Sequence, residues 1–181
     1  MSDKKLNEIA QNIANETSAL KTIQNLSTDC YLVGGTLIFG LTKDLYGSEA
    51  PKQDIDLAVK SIDLDKLPKE WIVKKHHPKG LPKENFGYRI DTGKEEVDII
   101  LFDNHYPGKG EPGIDSYLKN VPFSFHSIAF DLDKSELVGD VGIKSIVERK
   151  AWVNNKDLLS EDKGYWQSKL EQKSKLLGFE I

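Results

Sequence analysis

The sequence is short of arginine, of cysteine and of long apolar runs, and each shortage excludes a class of protein. A single cysteine, Cys30, rules out an internal disulfide framework and suits a reducing compartment. No apolar run approaches bilayer-spanning length, and the opening Met1-Ser2-Asp3-Lys4-Lys5 lacks the apolar core of a secretory signal, so a cytoplasmic location with no membrane partner is expected. Arginine stands only at Arg89 and Arg149, and 25 Lys+Arg against 29 Asp+Glu leave a formal net charge of −4. That balance argues against a surface given over to non-specific nucleic-acid binding and confines any RNA contact to a local, salt-sensitive groove. What is left, at 181 residues with 38% hydrophobic and 30% charged, is an ordinary globular chain of about one domain's length without repeats.

The apolar pattern then gives the order of elements. Leu6, Ile9, Ile13, Leu20 and Ile23 recur at helical spacing and predict one or two helices ending near Asn25. Cys30-Tyr31-Leu32-Val33 reads as a buried strand stopped by Gly34-Gly35, after which Thr36 is placed to cap a helix that Gly47 ends. Strands are expected at Ile55 to Val59, Trp71 to Val73, Gly87 to Ile90, Val97 to Phe102 and Phe123 to Leu132. Two further apolar series predict helices, one from Ile143 to Leu158 and one from Tyr165 to Leu177. This order implies an α/β domain on a mixed sheet, with flanking N- and C-terminal helices.

The chemistry is concentrated on three aspartates. Asp54 and Asp56 flank Ile55, so a strand's period of two puts both carboxylates on one face while Ile55 points to the core. Like charges held that close repel, and a bound divalent cation resolves the conflict. Mg²⁺, with Mn²⁺ as a substitute, prefers carboxylate oxygens together with substrate phosphates, which fits a site with few protein ligands. Asp98, between Val97 and Ile99, is the third carboxylate expected on a neighbouring strand. Asp54 and Asp56 taken without context read as ordinary outward-facing residues at a sheet edge. The context is a strand, then Gly34-Gly35-Thr36, then a helix, whose backbone N–H groups and Thr36 hydroxyl suit a triphosphate.

Taken in order, these segments resemble the DNA polymerase β-like nucleotidyltransferase superfamily, in particular the head domain of CCA-adding tRNA nucleotidyltransferases and bacterial poly(A) polymerases. Tyr31-Leu32-Val33-Gly34-Gly35 is similar to that family's Y-L-V-G-G, and Lys52-Gln53-Asp54-Ile55-Asp56-Leu57-Ala58 to its metal-binding K-D-I-D-L with one residue inserted. Phe86-Gly87 with Glu96-Val97-Asp98-Ile99 resembles the stretch bearing the third acidic residue, and Ile128-Ala129-Phe130-Asp131-Leu132, then Leu137-Val138-Gly139-Asp140, resembles the later A-L-A-Y-D-L and its following aspartate. The resemblance implies a polymerase β-like palm with a catalytic core over about residues 28–142 and a helical tail over about 143–181. It also implies two Mg²⁺ ions on Asp54, Asp56 and Asp98, and transfer of a nucleoside monophosphate from a nucleoside triphosphate to an acceptor hydroxyl such as an RNA 3′ end. The triphosphate is expected on Gly34, Gly35 and Thr36, with Lys43 or Lys52 standing in for an arginine the family has and this chain lacks.

Two departures set the limits of that expectation. Ile38 and Phe39 stand where the family has arginine and aspartate, and Asn120-Val121-Pro122 replaces the R-R-D before Phe123-Ser124-Phe125-His126. Ordered CCA addition is therefore not expected. A shorter similarity, through Glu148-Arg149-Lys150-Ala151-Trp152 and Asn155-Lys156-Asp157, is to small nucleotidyltransferases of the abortive-infection toxin type, which implies tRNA or protein as an alternative acceptor. A nucleotide-binding protein without turnover is the other alternative. Gly108-Lys109-Gly110-Glu111-Pro112-Gly113 matches G-x-G-x-x-G, with Asp131 at a suggestive distance, but Pro112 and the short segment Ile114 to Asn120 favour a loop over a dinucleotide site. Lys74, Lys75, His76, His77, Lys79 and Lys83 read as a solvated basic loop, with contact to a phosphate backbone as the alternative; the histidines lack zinc-site spacing, and Trp71, Trp152 and Trp166 read as packing residues.

Overall fold

The computed structural model describes residues 2–49, 53–77, 86–102 and 111–181, with the backbone alone at 158–161. Two helices open the chain, α1 (Asp3–Asn15) and α2 (Leu20–Asn25). Leu6, Ile9, Ala10, Ile13 and Ala14 form the buried stripe of α1, the spacing that an amphipathic helix needs. There follow β1 (Ser27–Thr28), β2 (Tyr31–Val33), α3 (Gly34–Tyr46), β3 (Ile55–Val59) and β4 (Ser61–Ile62). Next come β5 (Ile72–His76), β6 (Gly87–Asp91), β7 (Glu96–Leu101), α4 (Ile114–Asn120), β8 (Ala129–Asp131) and β9 (Glu136–Val138). The chain finishes with α5 (Asp140–Glu148) and α6 (Lys156–Leu177).

Among the described residues, seven strands form one mixed sheet in the order β5-β6-β7-β3-β2-β8-β9, with β3 and β7 parallel and the other neighbours antiparallel. Cross-strand register sorts side chains between the two faces. Leu32 pairs with Leu57 and Phe130, Leu57 pairs with Ile99, and all four are essentially inaccessible. They face the main core with α1 and α3, where each large apolar side chain contributes about 1.5–3 kcal/mol. α1 and α3 approach closely because Gly40 leaves room only for Ile13: a Cβ there would meet Ile13 Cδ1 at 2.5 Å. The opposite face carries a smaller cluster of Tyr31, Val33, Ala58 and Ala129 with Tyr117 and Leu118 of α4. A slip of one residue in β3 would drive Asp56 into the main core, so burial fixes the register strongly.

Four expectations need correction. α3 begins at Gly34 with Val33 as its N-cap; the Thr36 hydroxyl donates to the Asp54 carbonyl oxygen at 2.9 Å instead of capping the helix. Residues Phe123 to Leu132 are not one strand, because Ser124–His126 turns as a 3-10 helix and only Ala129–Asp131 pairs. The edge strand opens at Ile72 rather than Trp71 and runs on to His76. The helix expected through Leu158 breaks at Arg149, in left-handed backbone at φ 54°, and resumes at Lys156 under an Asn155 cap. Gly47 ends α3 in left-handed backbone as anticipated.

Candidate active site

β3 and β7 run parallel, and their register sets Asp56 directly beside Asp98. Paired residues on adjacent strands point to the same face, so both carboxylates stand on the face opposite the main core. Asp54, two residues before Asp56, is placed at the start of β3 on that side, and its side chain is exposed. The three predicted carboxylates are thus brought to one neighbourhood. On the other side Asp56 is held by the turn into α3, where it accepts the Gly35 backbone N–H. Gly34 sits at φ 73°, and a Cβ there would overlap the Asp56 carboxylate. Only glycine satisfies both the left-handed backbone and the close approach.

Asp56 carries the strain of this arrangement. Burial above all, then the charges of Asp98 and Asp54, push its carboxyl up from the ordinary 3.8 to about 7, against the Gly35 N–H and Lys173, which favour the ionised form. Between those two values the folded chain binds a proton that the unfolded chain releases, so this group makes stability fall as pH rises through the window. Asp56→Asn should therefore be nearly neutral near pH 4, yet stabilise the metal-free chain by up to about 4 kcal/mol at pH 8. Urea denaturation at the two pH values tests this; an equal effect at both would contradict the proposed cause.

Arg89, from β6, is the site's main cation and was not foreseen there. It pairs in register with Asp98 and grips it by two bonds, Nε to Oδ1 at 2.7 Å and NH2 to Oδ2 at 2.6 Å. The same guanidinium lies 3.7 Å from Asp54 and 3.8 Å from Glu96. His76 Nε2 of the edge strand stands 4.0 Å from the same Asp98 oxygen that Arg89 NH2 holds. Consequently, among the described residues no three acidic, histidine or cysteine side chains converge as a ready-made ligand set. As donors, the residues nevertheless fit a divalent ion. They offer hard carboxylate oxygens, a glycine cradle that a side chain would fill, and one carboxylate that burial first, and the charges of Asp98 and Asp54 after it, discourage from ionising without a cation.

A second cation comes from the far end of the chain. Lys173 of α6 is 3.3 Å from His126 Nε2 and attracts Asp56 electrostatically. Desolvation first, then the Lys173 charge, lowers His126 well below its usual value; the neutral ring can accept from the ammonium. His126 itself is wedged against Phe125 and Phe123, with ring centroids 4.7 and 5.4 Å away. Nothing in the sequence marked Lys173, which stands among Lys169 and Lys175 in the last apolar series. His126 was read only as a histidine without zinc-site spacing, four residues after the departure at Asn120-Val121-Pro122.

The remaining candidates are more scattered. Lys43 lies on the same side of α3 as Thr36 and Gly40, lining with them a groove toward α1 that also includes Gln53. Lys52 lies outside the described residues, as do Lys79, Lys83, His105 and the first half of the glycine-rich loop. Asp131, the acidic residue that the dinucleotide reading required, accepts from the backbone N–H groups of Asp133 and Lys134 and so closes its own turn. Lys74 and Lys75 belong to the sheet's edge strand, where Lys75 lies 4.2 Å over the Phe86 ring.

No protein-family profile matches the chain, and no curated protein matches it significantly. Solved structures do. A CCA-adding enzyme in complex with CTP aligns over 86% of this chain at 17% identity and a TM-score of 0.56. The CCA-adding enzyme of Bacillus stearothermophilus, also with CTP, aligns over 87% at 17% identity and 0.52. A tRNA nucleotidyltransferase with a primer tRNA and an incoming ATP analogue aligns over 87% at 19% identity and 0.50. The chain spans only 38%, 36% and 41% of those proteins, respectively. At such identities the likeness is one of architecture, and that architecture is the polymerase β-like fold of the CCA-adding head domain.

Proposed function

We propose that the chain is a divalent-metal-dependent nucleotidyltransferase that moves a nucleoside monophosphate from a nucleoside triphosphate to an acceptor hydroxyl. The observation that carries this reading is the β3–β7 register, which sets Asp56 beside Asp98 at the glycine turn opening α3. The solved structures of the same fold that hold CTP or an ATP analogue support it. In the transfer, the acceptor oxygen bonds to the α-phosphorus while the bond to the bridging oxygen of the β-phosphate breaks. Pyrophosphate leaves with that electron pair, and the hydroxyl proton passes to water. Asp54, Asp56 and Asp98 would hold the divalent ion, which when bound neutralises phosphate charge and makes the acceptor hydroxyl more acidic.

The protein's own residues do the positioning. The first N–H groups of α3 face the carboxylates, with Gly34 and Gly35 permitting a phosphate to come close to the backbone. Lys173 supplies the positive charge that the missing family arginine would have given. His126 is neutral and takes none of the ammonium's charge, which Lys173 offers to Asp56 and would share with phosphate oxygens. Lys173→Met should raise the KM for the triphosphate about tenfold and lower kcat less, because phosphate binding loses one charged contact while the carboxylates stay in place. Steady-state kinetics against nucleotide concentration checks this; a fall in kcat at unchanged KM would contradict it.

Pyrophosphate release with each of the four ribonucleoside triphosphates, Mg²⁺ or Mn²⁺, and pooled RNA tests the function directly. Turnover with one kind of nucleotide is the expected result. Transfer RNA lacking its terminal CCA, supplied with CTP and ATP, is not expected to regain the whole end. Arginine is the side chain best shaped to read base edges, and the chain has one at the site and one remote from it. A second reading, nucleotide binding without turnover, is favoured by one observation, the two-bond grip of Arg89 on Asp98. Nucleotide binding with no pyrophosphate released under any of these conditions would select it.

A further inference from the structure

Arg89 stands where a cation is needed. A row of charged residues crosses four strands in register, Lys74 opposite Arg89, Arg89 opposite Asp98, and Asp98 beside Asp56. Within that row only the Arg89 guanidinium reaches two of the three candidate ligands, at 2.6 Å from Asp98 and 3.7 Å from Asp54. Asp98 is mostly buried, with a side chain 13% exposed, and a carboxylate so placed needs a partner. Arginine provides one through a planar fork that matches both oxygens. A divalent ion on Asp98 asks for the same oxygens, and two cations on one carboxylate repel.

We infer that Arg89 is the resident counter-ion of the carboxylate cluster, occupying Asp98 until a divalent ion takes it, and so sets the concentration at which the ion loads. The inference rests on the proposed metal site and adds a residue to it. Arg89 and the ion are then reciprocally coupled: whatever the guanidinium contributes to holding Asp98 is subtracted from the ion's affinity. The donors freed from Asp98 stay beside the site, since β6 and β7 remain paired on both sides of Arg89.

The chain's scarcity of arginine gives a direct test. Only two arginine side-chain Nε–H signals exist, and Arg149 serves as an internal control because it is remote, donating to the Gly178 carbonyl oxygen at 2.8 Å and lying over Tyr46. In the wild-type chain labelled with ¹⁵N, titration with Mg²⁺ should shift or broaden the Arg89 signal as its bond to Asp98 is lost and leave that of Arg149 in place, Arg149→Lys giving the assignment. In parallel, Mn²⁺ binding without nucleotide, followed by electron paramagnetic resonance, should be about tenfold tighter in Arg89→Gln than in wild type. A saturable Mn²⁺ site whose affinity is unchanged or weaker in folded Arg89→Gln, or an Arg89 signal unmoved at saturating Mg²⁺, overturns the inference and leaves the metal site standing. Absence of any saturable Mn²⁺ site in wild type and variant alike removes both. Where Arg89→Gln does not fold, the wild-type titration decides.

Discussion

Asp56→Asn should abolish turnover, lowering the rate of pyrophosphate release by about 10³-fold or more while leaving a folded chain. The substitution keeps the side chain's size and removes one negative charge from the centre of the carboxylate row, where Asp56 lies between Asp98 and the glycine turn. Asn can still accept the Gly35 N–H, so the turn into α3 loses little. What it cannot do is offer an anionic oxygen to a divalent ion or balance the charge of a triphosphate complex. Because burial and its acidic neighbours also penalise Asp56 for carrying charge in the metal-free chain, loss of activity and gain of stability should appear together. The paired measurement is pyrophosphate release beside urea denaturation at pH 8. Turnover within tenfold of wild type would place the chemistry elsewhere.

The second large effect is expected at Gly34. Gly34→Ala combines left-handed backbone with overlap of the Asp56 carboxylate, and together these should cost about 2–4 kcal/mol and most of the activity. Two other glycines separate the causes. Gly93 has φ 79° and open space around it, so Gly93→Ala should show the backbone strain alone, about 1 kcal/mol. Gly35 lacks the left-handed backbone, and a Cβ there meets the end of the flexible Gln53 side chain, so Gly35→Ala should fall below Gly34→Ala in both stability loss and inactivation. Thermal melts and turnover of the three variants give the ranking. Equal effects at Gly34 and Gly93 would show that contact with Asp56 is not the reason for glycine at Gly34.

How much of this was legible in the sequence follows from the range of the forces involved. The strand ending in Gly34-Gly35, the helix stopped by Gly47 and the alternation through Asp54, Asp56 and Asp98 depend on local backbone sterics and the period of a strand, and they read directly. The neighbourhood of Asp56 and Asp98 needed the parallel pairing of β3 with β7; a neighbouring strand was expected for Asp98, but its direction and register are not written in the spacing. The cations were harder. Arg89 was visible as a rarity, but that its partner is Asp98 depends on an antiparallel register across a turn. Lys173 is 117 residues beyond Asp56 along the chain (173 minus 56) on a helix of weak amphipathic character, and only the packing of α6 brings it to His126. The helix break at Arg149 went unseen because the apolar spacing from Ile143 to Val153 continues across it.

The way α6 is tied down bears on biosynthesis and handling. Its C-terminal extension is stitched to the segment after α5: Ala151 donates its N–H to the Glu180 carbonyl oxygen, Glu180 donates back to Arg149, and Phe179 is buried against Phe125. On a ribosome, every strand of the sheet emerges before the residues that make these bonds. The nascent chain therefore has its carboxylate row before it has Lys173 in place, and under the proposed function it would lack the ammonium assigned to the triphosphate. A protease cut within α6 would take the same ammonium, and the backbone bonds that tie Glu180 to Arg149 and Ala151, away from a sheet whose strands are all still present.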